Sequence, residues 1–265
     1  MLTEAERQKL LLNNIEHNNF REDYLDPTQY GKGRCFDSKE DRTEELKGRW
    51  LQEFLDDFQP RMVVELGPGG GYYTRQIAEH PSVRRFHAVE INKVFLDYIA
   101  DSLKTIKKDS FNFSVHCMDF FTMDITNADA IIMMNTLHHI PNRGELFTKL
   151  HQMLRPGGLI ICVDPSHYIS RIRQLIGKIL LPGYVEKMVT GTRNVSTHHF
   201  CTLGESRKLA GKTGFRIVDI RYDAAWKFIP VRLLNRPAII FDKPDAPCES
   251  VDRSGVRTAD SAAHA

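Results

Sequence analysis

Glu65, Gly67, Gly69, Gly71 and Glu90 carry the clearest chemistry in the sequence. The first four lie in Val63-Val64-Glu65-Leu66-Gly67-Pro68-Gly69-Gly70-Gly71-Tyr72-Tyr73, an apolar, β-branched run that breaks into four glycines within five residues. Glycine suits a turn that is tight and must bring its main chain against a ligand, because a Cβ would hold the two apart. Glu65 ends the apolar run and faces the same crevice. Glu90 follows about 20 residues past the glycines, the spacing at which an acid ending a second strand takes the two hydroxyls of a ribose. The pocket therefore expects a nucleoside. The glycine pattern is G-x-G-x-G. A dinucleotide fingerprint would place glycine or alanine at Tyr72, and no G-x-x-x-x-G-K-[ST] phosphate loop is present.

Residues of this kind need a strand, a turn and a helix to hold them. Apolar runs predict strands over Arg61–Leu66, Arg84–Glu90, Phe111–Cys117, Ala128–Asn135 and Leu159–Val163. Helical stretches lie between them, over Tyr73–Glu79, Lys93–Lys107 and Arg143–Leu154. Strands alternating with helices imply a parallel sheet with right-handed crossovers and helices on both faces. Ligands of such sheets sit at the carboxyl ends of the strands, where Glu65, the glycines and Glu90 fall. Before the first strand, Leu46, Trp50, Phe54 and Phe58 recur at helical spacing over Glu45–Phe58, which reads as core packing, and Pro60 stops the helix.

Glu65-Leu66-Gly67-Pro68-Gly69-Gly70-Gly71 followed by Ala88-Val89-Glu90-Ile91 resembles the class I S-adenosylmethionine-dependent methyltransferases. Met118-Asp119-Phe120, the run Ala130–Pro141 and Leu154-Arg155-Pro156-Gly157-Gly158 agree with that resemblance, which covers about Arg61 to Lys243. The core is similar to small-molecule methyltransferases of quinone and natural-product synthesis. The resemblance implies an α/β fold: a doubly wound, seven-stranded, mostly parallel, Rossmann-like sheet whose last strand is antiparallel. It implies S-adenosylmethionine as cofactor. The backbone at Gly67, Gly69 and Gly71 would take the methionine and ribose parts, Glu65 the methionine amino group and Glu90 the ribose. Ile91 would flank the adenine, Asp119 and Phe120 would read its edge, and Asn135 would border the methionine end. Tyr30, in the amino-terminal segment, is the candidate for covering that end.

A base is harder to place. Of the 11 histidines, His138, His139, His167, His198 and His199 lie near predicted strand ends or the segment after the fifth strand. His138 and His167 are the candidates for a base or an acceptor-orienting group, although a histidine in such a place more often serves packing. No acidic cluster suggests a metal, and none is expected.

The remaining segments decorate this core. Residues 1–58 read as a helical cap, 59–243 as the methyltransferase domain and 244–265 as a disordered tail rich in Pro, Ser, Asp and Ala. Residues 164–200 read as a helical lid inserted after the fifth strand, with an apolar stripe from Tyr168 to Leu180 and Arg171, Arg173 and Lys178 opposite. Three readings of the lid stay open, in this order: a roof over an apolar acceptor, an interfacial helix in weak contact with a membrane, and a homodimer contact.

Composition bounds the partners. The chain has 265 residues, 42% of them hydrophobic, and a formal charge of +2, which gives nucleic acid no electrostatic footprint. No stretch approaches the ~20 apolar residues of a membrane span. Five scattered cysteines without a C-x-x-C pair read as reduced thiols in a cytoplasmic protein. The acceptor expected is a small, apolar or aromatic molecule. A protein or RNA methyltransferase and a cofactor-binding homologue without turnover are the alternatives, and the missing glycine argues against a nicotinamide oxidoreductase.

Overall fold

Seven strands form one sheet in the order β3-β2-β1-β4-β5-β7-β6. They are β1 (Met62–Leu66), β2 (Arg85–Glu90), β3 (Asn112–Cys117), β4 (Ala128–Met134), β5 (Leu154–Val163), β6 (Arg216–Arg221) and β7 (Ala238–Asp242). The computed structural model describes residues 42–137, 140, 142–164, 203–221 and 238–245. The pairs among β1 to β5 are parallel, and β7 runs antiparallel to both β5 and β6. The expected doubly wound sheet with an antiparallel last strand is thus present. Most of the proposed cap and lid, the tail beyond Asp245, Tyr30, His138, His139, His167, His198 and His199 lie outside the described residues.

Helices cover both faces. Helix α1 (Arg42–Phe58), α2 (Thr74–Glu79) and α3 (Lys93–Leu103) lie on one side, and α4 (Arg143–Met153) and α5 (Leu203–Thr213) on the other. On the first side Trp50, Phe54, Ile77, Ile99 and Leu103 bury against Val63, Phe86 and Ala88. On the second, Leu146, Phe147, Leu150 and Ala210 bury against Val64, Leu66 and Ile131. Phe147 meets Phe241 edge to face at 5.1 Å between centroids. Each buried Val, Leu, Ile or Phe among these contributes ~1.5–3 kcal/mol on leaving water. Burial on both faces explains why β4 reads as an unbroken apolar run, Ala130-Ile131-Ile132-Met133-Met134, with no alternation.

Two boundaries differ most from expectation. Helix α3 ends at Leu103, four residues before Lys107. There the Thr105 hydroxyl donates to the Ser102 carbonyl at 2.7 Å, and Ile106 turns in against the first core layer. Thr105 and Ile106 are both β-branched, which makes a further helical turn less favourable. Helix α4 stops at Met153, because Leu154 is already extended and pairs with Ala128. Strand β5 therefore starts five residues before Leu159, with Arg155–Gly158 bulging between the Leu154 and Leu159 pairings. Gly157 makes the bulge with φ +68°. Lys243 closes this region: its Nζ donates to the carbonyls of His151 and Leu154 at 2.8 and 2.7 Å.

Candidate functional site

The strand order reverses between β1 and β4, and the chain leaves the two strands in different directions. A doubly wound sheet opens its ligand crevice at this switch point, outside the carboxyl ends. The sequence-predicted residues gather there. Gly67 follows β1, Asn135 follows β4, Glu90 ends β2, and the register pairs Glu90 with Cys117 at the end of β3, two residues before Asp119. By strand alternation, Glu65 and Glu90 share the sheet face of Val63, Phe86 and Ala88, the face covered by α1, α2 and α3.

The glycine turn is held by neighbours as well as by its own conformation. Gly67, Gly69 and Gly71 all have positive φ, at +66°, +55° and +79°. At Gly67 a Cβ would lie 2.6 Å from Thr136 Cγ2. Thr136 in turn donates its hydroxyl to the Leu66 carbonyl at 2.9 Å, welding the end of β4 to the end of β1. No side chain fits at Gly67 while that weld stands.

Two acids line the turn. Glu90 accepts the main-chain N–H of Gly69 at 3.0 Å on one oxygen, and those of Ile91 and Asn92 at 2.8 and 3.0 Å on the other. Glu65 accepts the Thr74 hydroxyl at 2.7 Å. Both are buried. Burial pushes the Glu65 carboxyl up to about 8, against the pull of the Thr74 bond and with a further push from the Glu90 charge. Burial also raises Glu90, while its three main-chain N–H groups oppose the rise. Among the described residues neither acid forms an ion pair with a cation. A ligand that brings positive charge beside Glu65 would favour its ionised form.

The other predicted residues border the same crevice. Asp119 caps the short turn Phe120–Thr122, with Oδ1 accepting the Phe121 N–H at 3.1 Å. Phe120 and Ile91 are half-buried. Asn135 is left-handed at φ +58°, a region asparagine tolerates better than most residues, and its N–H donates to Val163 at 2.7 Å. The described histidines sit elsewhere. His80 bonds Ser82 and Asp56, His151 packs on Phe215, and His87 and His116 approach each other at 3.1 Å within β2 and β3. Burial first, then the His116 and Arg85 charges, push His87 down to about 4.

Sequence reasoning missed Thr74, Thr136 and Lys47. Lys47 is buried on α1 and donates from Nζ to Asn135 Oδ1 at 3.1 Å. A signal existed: Lys47 stands in helical step with Trp50, Leu51, Phe54 and Leu55, so a charged residue occupies the apolar stripe. Among the described residues, no group of three or more His, Cys, Asp or Glu is placed to hold a metal, and no helix is long and apolar enough to cross a membrane.

Comparison with known proteins places this geometry. Over 150 residues the chain is 25% identical to phosphoethanolamine N-methyltransferase 2 of Caenorhabditis elegans, covering 52% of this chain and 33% of that one. It spans about a third or less of the length of the curated relatives it matches. The fold is similar to that of the cyclopropane synthase MmaA2 from Mycobacterium tuberculosis, with TM-score 0.65, 14% identity and coverage of 88% of this chain and 98% of that one. It is similar also to magnesium protoporphyrin IX methyltransferase from Synechocystis PCC 6803, with TM-score 0.58, 14% identity and coverage of 87% and 99%. Residues 38–220 match the methyltransferase-domain family, a span that includes the glycine turn, both buried acids, Asp119 and Asn135. This chain belongs to the methyltransferase-domain family.

Proposed function

We propose that this domain transfers a methyl group from S-adenosylmethionine to a small, apolar or aromatic acceptor. The observation that carries the reading is the pair of buried acids, Glu65 and Glu90, around a positive-φ glycine turn at the switch point. The cofactor fits such a site: it is a nucleoside with a cationic amino-acid arm, and the turn leaves no room for a Cβ at Gly67. When bound, the cofactor supplies a methyl carbon activated by its sulfonium.

This chain's residues then bind and orient. Glu65 holds the methionine ammonium, and its ionisation is favoured by that charge. Glu90 exchanges part of its main-chain bonding for the ribose hydroxyls. Ile91 and Phe120 flank the adenine, Asp119 meets its edge, and Asn135 borders the methionine end. Tyr30 covers that end, and His138 or His167 orients the acceptor or takes its proton. Positioning is most of the catalysis that methyl transfer needs, because the leaving group is already activated. The exposed thiol of Cys117, in no disulfide, supports a reducing, cytoplasmic setting.

A second acceptor class has one specific support. The nematode relative is named for phosphoethanolamine, so a small phosphorylated amine competes with the apolar acceptor. Calorimetric titration with S-adenosylmethionine, S-adenosylhomocysteine and NAD tests the core reading. Micromolar binding of the first two and none of NAD is expected, and binding of NAD alone would overturn it. Methyl transfer from labelled cofactor to phenols, quinones and phosphoethanolamine then separates the acceptor classes.

A further inference from the structure

Thr74 opens α2 just past the glycine turn, and Glu65 lies near the end of β1 just before it. The Thr74 hydroxyl meets Glu65 Oε2 at 2.7 Å. Thr74 is 0% exposed and Glu65 2%. Among the described residues, no other hydrogen bond reaches the Glu65 carboxyl. A buried hydroxyl costs free energy unless it is bonded, and a valine of similar outline carries no such cost. A helical threonine can turn its hydroxyl back to a carbonyl three or four residues earlier. Here the acid takes it instead. The bond ties together the two arms of the turn that carries Gly67, Gly69 and Gly71. Burial pushes the Glu65 carboxyl up to about 8, the Thr74 bond pulls it down, and the Glu90 charge on β2 pushes it further up. Of the other charged groups on the packed helices, Lys47 on α1 donates to Asn135, Arg75 and Glu79 on α2 pair with each other, and Lys93 and Asp97 pair on α3.

We propose that Thr74 is a positioning residue for cofactor binding: its hydroxyl holds the Glu65 carboxylate in place for the methionine ammonium. The inference rests on the reading that Glu65 takes that ammonium, and it names the residue through which the fold sets the acid. A hydroxyl can follow a proton. It accepts from a protonated carboxyl and donates to an ionised one, so the contact survives when the ammonium arrives and Glu65 gives its proton up. Donation to a charged oxygen is the stronger of the two bonds, so Thr74 eases that ionisation. Without the hydroxyl, the acid would meet the ligand with its proton held more tightly.

The test is calorimetric titration with S-adenosylhomocysteine, which keeps the amino-acid arm, across a pH series for wild type, Thr74→Val, Thr74→Ala and Thr74→Ser. The Val and Ala proteins should bind roughly tenfold more weakly than wild type at about pH 6, the difference between a hydrogen bond to a charged and to a neutral oxygen. The loss should close to within about twofold at about pH 10, where Glu65 keeps no proton in any of the proteins. The ligand's own ionisation cancels in the ratio of wild type to variant. Thr74→Ser should keep the wild-type profile. A loss of equal size at every pH overturns the proposal, because it marks a structural role. So does unchanged affinity in the Val and Ala proteins, or a Thr74→Ser protein that behaves like a weakened Thr74→Val. Glu65→Gln separates the two failures. Weakened binding there, beside unaffected Thr74 variants, ends this inference alone, whereas wild-type affinity there ends the reading of Glu65 as well.

Discussion

Asp129 and Glu65 sit on neighbouring strands at opposite ends of the sheet, and their surroundings push them opposite ways. Asp129, near the amino end of β4, accepts the main-chain N–H groups of Arg61 and Met62 at 2.9 and 2.8 Å and pairs with Arg155. Burial pushes its carboxyl up, but the Arg155 bond and the two main-chain donors outweigh it and hold the group below its ordinary value. Glu65, at the carboxyl end of β1, has burial, one hydroxyl donor and the nearby Glu90 charge, and it rises to about 8. One acid is saturated by its own chain and serves the fold. The other is left short of positive charge, and a cationic ligand can supply it. On the proposed reading, binding capacity lies in what the strand ends leave unneutralised.

The sharpest break of that contrast is at the turn itself. Gly67→Ala should abolish measurable cofactor binding and lower the melting temperature, because its Cβ meets Thr136 and its φ is positive. Strain of this kind costs ~1–3 kcal/mol before the clash is counted. Next comes Glu90→Ala, which should weaken cofactor binding by ~1.5–3 kcal/mol in calorimetry, the worth of a charged hydrogen-bonded group. Unchanged affinity would mean that the pocket is misplaced.

The two acids should also divide the pH axis. Glu65 has a folded value of about 8, above its ordinary 4.5. Its favourable contribution is complete below the unfolded value and is lost as pH rises towards about 8. Denaturant melts of the cofactor-free protein should show that loss, and Glu65→Gln should flatten it. Cofactor binding near neutral pH should release a proton, seen as a dependence of the binding heat on the buffer. Asp129 works in the opposite window. Its value is lowered, so its contribution is present above its ordinary 3.8 and is lost as pH falls below that. The smallest expected effect is on Asp129→Asn, which should cost about 1 kcal/mol of stability, given a partly exposed pair, and leave cofactor affinity unchanged. A loss of affinity in that variant would erase the division between the two ends.

Much of this was legible in the linear chain. The break from apolar run to glycines located the turn, and Glu65 and Glu90 were found from their place at strand ends. Asp119 and Asn135 came from resemblance to a family rather than from their own chemistry. The start of β5 was misjudged because Arg155-Pro156-Gly157-Gly158 has turn chemistry, and only the pairing of Leu154 with Ala128 makes its surroundings a strand. Lys47 was passed over because a lysine in a helix is normally solvated, and nothing near it in sequence announces Asn135.

The sequence by itself determined the short-range features: strand and helix periods, the glycine turn, and an acid at the end of each of the first two strands. These depend on a residue and its near neighbours, so they survive without knowledge of the fold. The tertiary structure alone decided the strand order, and with it the switch point between β1 and β4. It decided that Thr136 closes over Gly67, that Lys47 meets Asn135, and that Glu65 holds its proton where Asp129 gives its own up. Those outcomes depend on burial and on contacts between distant residues, and a carboxyl's affinity for a proton is set by what the folded chain brings beside it.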